Sequence, residues 1–246
     1  MAGHSKWAQI KRKKGANDKQ RGKVISKHVR AIQSAVRSGN SGDASTNLAL
    51  KNALSAAKSD NVPIDNIDRA VERALGGGEG GNFEPVYYEG YGPAGVAMLV
   101  EALTDNKNRT AGEVRHVFSK HGGNMSGSTA WQFDTKGMII VEQTGDAVEE
   151  AAIELGAEDL EADDGTSVIY TAAADLYAVV EGLQSRGLPV DVVQITKLPQ
   201  TQTALTPHEA EKVMNFLESL EDLDDVQNVY TTADLDSIGE SVDAAG

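Results

Sequence analysis

Gly76-Gly77-Gly78-Glu79-Gly80-Gly81 is the stretch on which the fold turns, because the grammar of the chain differs on its two sides. Glycines in this density have no side chains to pack and predict a flexible joint. Upstream, Ile25, Val29, Ile32 and Val36 recur at the spacing of one helix face between Asn17 and Arg37. Gly39 and the Gly/Ser/Asn residues after it end that helix. A second helix is expected over 46–58, where Leu50, Ala53, Leu54 and Ala57 share a face. A third starts at Pro63, suited to a first helical position, with Asp65 complementing the dipole and Ile64, Ile67, Val71, Ala74 and Leu75 as apolar positions. The three close a small all-α module.

Downstream the pattern alternates between strands and helices. Strands are expected at 85–89, 96–103, 130–133, 138–142, 167–171, 190–197 and 226–231, and helices at 110–121, 147–156, 175–186 and 207–221. Thr110…Glu113 and Thr206…Glu209 read as capping boxes, the second with Pro207 at the first helical position; Asp146…Glu149 is a looser version. Short helices among short strands predict two small α+β units rather than one doubly wound sheet. The fold class is therefore α+β and multidomain.

Composition narrows the function. The 246 residues carry no cysteine, which removes disulfides, thiolate catalysis and Cys-ligated metals. No apolar run approaches the ~18 residues of a membrane span, and Met1-Ala2-Gly3-His4-Ser5-Lys6-Trp7 shows no leader peptide. Two G-x-G-x-x-G matches, Gly76/Gly78/Gly81 and Gly90/Gly92/Gly95, lack the strand-then-helix setting that a pyrophosphate needs, so they read as joint and hairpin turn. The acidic run Glu158, Asp159, Glu161, Asp163, Asp164 places Asp164 where a calcium loop needs Gly, and reads as a solvated turn. His4, His28, His116, His121 and His208 are scattered, and His116 and His121 are separated by about 140° on a helix, poor for one metal. Lys136-Gly137-Met138-Ile139-Ile140-Val141 lacks the stacking aromatics of an RNA-binding strand and reads as core. With no nucleophile in a recognisable setting, the expectation is a non-enzyme without metal, cofactor or small-molecule substrate.

Charge points to the partner. The net charge is −14, yet residues 1–38 hold eleven Lys/Arg against Asp18 alone, a local +10. Residues 39–80 carry −2 and 81–246 carry −22. One end is thus built for a polyanion while the remainder keeps the chain soluble. On a wheel the apolar stripe spans about 60°, and Lys19, Lys23, Lys27, Arg30 and Arg37 fall roughly opposite, over ~27 Å of helix. Lys11-Arg12-Lys13-Lys14 forms a cationic arm upstream, with Lys6 and Trp7 beside it. Phosphate contact is the expected mode, which supplies affinity with little sequence reading. Lys107, Arg109, Arg115 and Lys120, with His116 and His121 alongside, form a second basic patch, for which ion pairing with nearby acids is the alternative reading.

At these residues the chain resembles the YebC/PmpR family of transcriptional regulators. The matching residues, in order, are Ala2 to Trp7, Asp18…Arg21-Gly22-Lys23, Glu89-Gly90-Tyr91-Gly92-Pro93, Thr104-Asp105-Asn106-Lys107-Asn108-Arg109-Thr110, Glu113-Val114-Arg115-His116 and Gly122-Gly123-Asn124. They extend over nearly the whole chain, to about Asp234. Ile25 departs from a common Phe and Ala94 from a common Gly. The resemblance implies a basic N-terminal three-helix domain (1–79), a middle α+β domain (80–133 with 204–238) and an acidic α+β domain (134–203) inserted into it. It also implies a cytoplasmic, DNA-binding regulator of transcription. Other members are implicated in translation on ribosomes, so an RNA-directed role through the same surface stays open, as does an enzyme or metal protein using the His or acidic clusters.

Overall fold

A computed structural model of the protein describes residues 18–76, 83–163 and 165–235, with side chains from Arg21 onward. Lys6, Trp7, the arm Lys11 to Lys14 and the joint beyond Gly76 lie outside these residues. Helices come first: α1 (Asp18–Gly39), α2 (Leu48–Ser59) and α3 (Ile64–Leu75). Then follow β1 (Glu84–Tyr91), β2 (Ala97–Thr104), α4 (Lys107–Lys120), β3 (Phe133–Val141), α5 (Asp146–Glu154), β4 (Asp159–Asp163), β5 (Thr166–Ala172), α6 (Leu176–Ser185), β6 (Val190–Pro199), α7 (Pro207–Glu221) and β7 (Val226–Thr231). The fold is α+β, with two separate sheets. Two compact units form: one from 18–30, 83–134 and 198–235, the other from 31–76 and 135–197, over the described residues.

The first unit is built on the antiparallel sheet β1-β2-β7. On one face α4 contributes Val114, Val117 and Phe118 and α7 contributes Val213, Phe216, Leu217 and Leu220, each at the i, i+3, i+4 spacing of an apolar stripe. They bury against Tyr88, Met98, Val100 and Val229. The Phe118 and Phe216 rings meet edge to face at 5.0 Å. The other face holds Ala97, Leu99, Phe133 and Tyr230. Covering on both faces explains why β2 reads as an apolar run interrupted only by Glu101 before it ends at Thr104. Gly90 is required where it sits, since a Cβ would come within 2.9 Å of the Phe118 ring and the Met125 backbone.

The second unit holds the four-stranded sheet β4-β5-β3-β6 with α5 and α6 packed on Ile139, Val141 and Ile169. It also contains the end of α1 with α2 and α3, where Ile32, Val36, Leu50, Ala57, Ile67 and Ala70 are buried. Asn47 ties these helices together: its amide donates to Ala35 O at 2.8 Å and Ser41 O at 3.0 Å, while its oxygen caps Leu50 N. The Tyr177 hydroxyl donates to Asn52 at 2.6 Å and Lys51 sits 3.7 Å over its ring, pinning α2 to α6.

Three local expectations are revised. The segments 130–133 and 138–142 are one strand preceded by a 3-10 turn at Ala130–Gln132, because Gly137 does not interrupt β3. It pairs with Thr171 and leaves room for Leu176, whose side chain a Cβ would meet at 2.9 Å. The acidic stretch is partly a strand, β4, at a sheet edge, where Ala162 and Asp163 are exposed and Leu160 pairs with Ile169. Thr110 is no cap: α4 begins at Lys107 with Asn106 as its cap. The Thr206–Glu209 box is present in full.

Candidate nucleic-acid interface

Lys23, Lys27 and Arg30 recur at i, i+4 and i+7 and therefore share one face of α1. That face meets the end of α7. Lys23 Nζ donates to Asp222 O at 3.2 Å and to its carboxylate at 3.1 Å. Lys27 Nζ donates to Glu221 O at 2.7 Å. Arg30 donates to Asp224 O at 2.7 Å and to the Asp225 carboxylate at 3.1 Å, with Phe83 under its guanidinium at 5.4 Å. The cations have thus found the negative end of a helix dipole, where the last carbonyls have no partner inside the helix. Lys19 lies in the first turn of α1, its side chain outside the described set. Arg37 lies in the last turn, where its charge complements the dipole of α1 itself.

Asp225 is the centre of this arrangement. Its carboxylate, 4% exposed, accepts from Arg109 at 2.6 Å, Thr110 at 2.7 Å and Thr104 at 3.1 Å, besides Arg30. Burial works to raise its pKa, but the hydrogen bonds from Arg109, Thr110 and Thr104 and the charge of Arg109 outweigh it and hold the carboxyl below its ordinary value. The same bond to Asp225, with a second to Asp105 at 2.9 Å, keeps the Arg109 guanidinium firmly charged. The motif Thr104 to Thr110 folds around this carboxylate: Thr104 accepts from Asn106 N, Asn106 caps Arg109 N, and Thr110 bonds Thr104 at 2.7 Å.

The second basic patch divides accordingly. Lys107 pairs with Glu84 at 2.5 Å and Arg109 with Asp225 and Asp105. Arg115, His116 and Lys120 are exposed, and Arg115 and Lys120 pair with no acid among the described residues. His121 turns inward against Phe216 at 5.5 Å, where burial, then the charge of Lys120, lowers its pKa.

Two features carried no expectation from sequence. Glu89 accepts from Ala130 N at 2.7 Å, Thr129 N at 2.5 Å and the Ser128 hydroxyl at 2.8 Å, and these bonds hold its pKa down, the one from Ala130 most. At the other end of the same loop, Tyr91 and Asn124 exchange two backbone bonds of 2.8 Å. Between these anchors the loop presents Trp131, 68% exposed, with its indole N–H already donated to Ser128 O at 3.0 Å. The other feature is the acidic end of α7. Asp222, Asp224 and Asp225 follow a helix C-terminus, where carboxylates oppose the dipole. That misfit in sequence is the signal that cations from elsewhere must gather there.

Among the described residues, no three His, Asp or Glu side chains are arranged to hold a metal, and no helix is long and apolar enough to cross a membrane. Comparison with known proteins gives a consistent picture. Residues 5–77 match the TACO1/YebC protein N-terminal domain, and residues 83–233 match the TACO1/YebC second and third domain. A probable transcriptional regulatory protein of Thermus thermophilus is 55% identical over 241 residues, covering 97% of this chain and 98% of its own. One from Deinococcus radiodurans is 56% identical over 238 residues, covering 96% and 98%. The crystal structure of a conserved hypothetical protein from Aquifex aeolicus superposes with a TM-score of 0.79 at 44% identity, over 88% of this chain and 91% of that one.

Proposed function

Given that the chain belongs to the TACO1/YebC family, we propose that it is a cytoplasmic, DNA-binding regulator of transcription, and not an enzyme. The contact surface is the basic N-terminal domain, residues 1–79, through Lys6, Trp7, Lys11, Arg12, Lys13, Lys14, Lys19, Lys23, Lys27, Arg30 and Arg37. The middle domain (80–133 with 204–238) adds the exposed Arg115 and Lys120, and the acidic insert 134–203 has the wrong charge for phosphate. One observation carries the reading: +10 in the first 38 residues of a −14 chain, with Lys23, Lys27 and Arg30 set on one helix face to grip a row of oxygens. The names of the relatives, transcriptional regulatory proteins, support the same role.

A second reading, an RNA- or ribosome-associated translation factor, is favoured by Trp131. Its only polar atom is satisfied inside its loop, so what it offers a partner is an indole face. Unpaired bases stack on such faces, and duplex DNA has none to give.

Salt titration tests both. If the helix face and arm meet about 5–8 phosphates, log affinity for duplex DNA falls with log salt at a slope of about −5 to −7. Removing Lys11 to Lys14 flattens that slope on unrelated duplexes alike, since phosphate contacts carry no base information. A salt-independent affinity on every substrate would overturn the nucleic-acid reading. A steep slope on structured RNA with little affinity for duplex, lost on Trp131→Ala, would assign the protein to RNA.

A further inference from the structure

The face of α1 assigned to phosphate already holds a ligand made of oxygen atoms. We propose that residues 221–225 are an internal stand-in for the polyanion, a latch that nucleic acid must displace from Lys23, Lys27 and Arg30. The inference rests on the nucleic-acid reading of that face and adds its regulation.

The chemistry of the contact is that of a phosphate backbone. Three cations on one helix face receive carbonyl oxygens of Glu221, Asp222 and Asp224 and carboxylate oxygens of Asp222 and Asp225, at 2.7 to 3.2 Å. The acceptors lie at the negative end of the fifteen-residue α7, so dipole and formal charge add in the same place. Lys23 and Asp222 are 37% and 72% exposed, so this part of the contact is screened by water and salt and weak for its size. Opening also leaves little uncompensated behind. Asp225 keeps Arg109, Thr104 and Thr110 after Arg30 departs, and the carbonyls at the exposed Asp222 and Asp224 return to water. A duplex brings a dense row of phosphates against this short acidic segment and wins by number of contacts. The latch therefore lowers apparent affinity by the fraction of time it is open: closed nine parts in ten, it weakens binding about tenfold. Weak or isolated anions are refused, and only an extended polyanion opens the site.

The chain contains no cysteine, so Lys23→Cys with Asp222→Cys in the full-length protein gives two unique thiols across the latch. The double variant is joined by a short bismaleimide, or capped on both thiols with N-ethylmaleimide, and each form is titrated with a fluorescent DNA duplex and a structured RNA. The joined form is expected to bind at least about tenfold more weakly than the capped form. In parallel, Asp222→Asn with Asp224→Asn should bind several-fold more tightly than Glu149→Gln with Glu150→Gln, which removes the same charge from exposed positions on α5. Equal affinity of joined and capped forms, or equal gains from the two charge variants, overturns the latch alone. Failure of the thiols to join overturns the contact. Absence of binding by wild type and every variant overturns the nucleic-acid reading and the latch with it.

Discussion

Asp225 shows what a single buried carboxylate can organise. Four groups from α1, β2 and α4 converge on it, and only one of them, Arg30, belongs to the proposed interface. Asp225→Asn replaces an acceptor-only group by an amide and leaves a donor without a partner beside Thr104, Thr110 and Arg109. The expected loss of stability is about 1–3 kcal/mol in urea denaturation. Asp105→Asn, which breaks only the exposed second pair of Arg109, should lose about 0–1 kcal/mol. The contribution of Asp225 also depends on pH. A carboxyl whose folded pKa lies below its unfolded value of about 3.9 stabilises the fold above that pH and loses the contribution as pH falls toward the folded value. Wild type should therefore exceed Asp225→Asn in stability at neutral pH, and the gap should close below about pH 4.

At the scale of elements, the helix ends decide where functional side chains stand. Asn106 starts α4 one turn before Thr110, which frees the Thr110 hydroxyl for Asp225 and Thr104 instead of a backbone cap. The Thr206–Glu209 box starts α7, and by setting its phase places Phe216 in the core and residues 221–225 at the mouth of the latch. Asn106→Ala and Thr206→Ala should each lower stability by about 1 kcal/mol, read as a shift in urea midpoint at unchanged slope. Their effects on binding should differ. Loss of the Asn106 cap loosens the turn that holds Arg109 on Asp225, whereas fraying at the start of α7 leaves its C-terminal contacts with α1 in place.

Over the whole molecule the charges separate by segment: 1–75 carry +9 and 82–246 carry −22. Cutting near Gly78 should leave polyanion affinity with residues 1–75 and little with 82–246, measured by titrating both fragments with the same duplex at several salt concentrations. Because the first fragment lacks residues 221–225, its affinity should exceed that of the intact chain. An acidic fragment that bound as well as the basic one would move the interface away from α1.

Local rules were enough to read much of this protein from its sequence. Helix α7 and strand β7 fall on the expected 207–221 and 226–231, because a complete capping box marks one start and a short β-branched run the other. The charge asymmetry and the ordered motifs from Ala2 to Asn124 identified the family without coordinates. What the sequence could not state is which groups face each other. Lys23 and Asp222 are 199 positions apart, and helical period says only that Lys23, Lys27 and Arg30 share a face, not what that face meets. The same limit hid β4: its acidic residues read as a turn until antiparallel pairing with β5 makes them an edge strand. Period, caps and charge are properties of neighbours along the chain. The partners of Asp225 and of the α1 cations were decided by packing α4 and α7 on one sheet face, where desolvation makes each carboxylate and carbonyl find a donor.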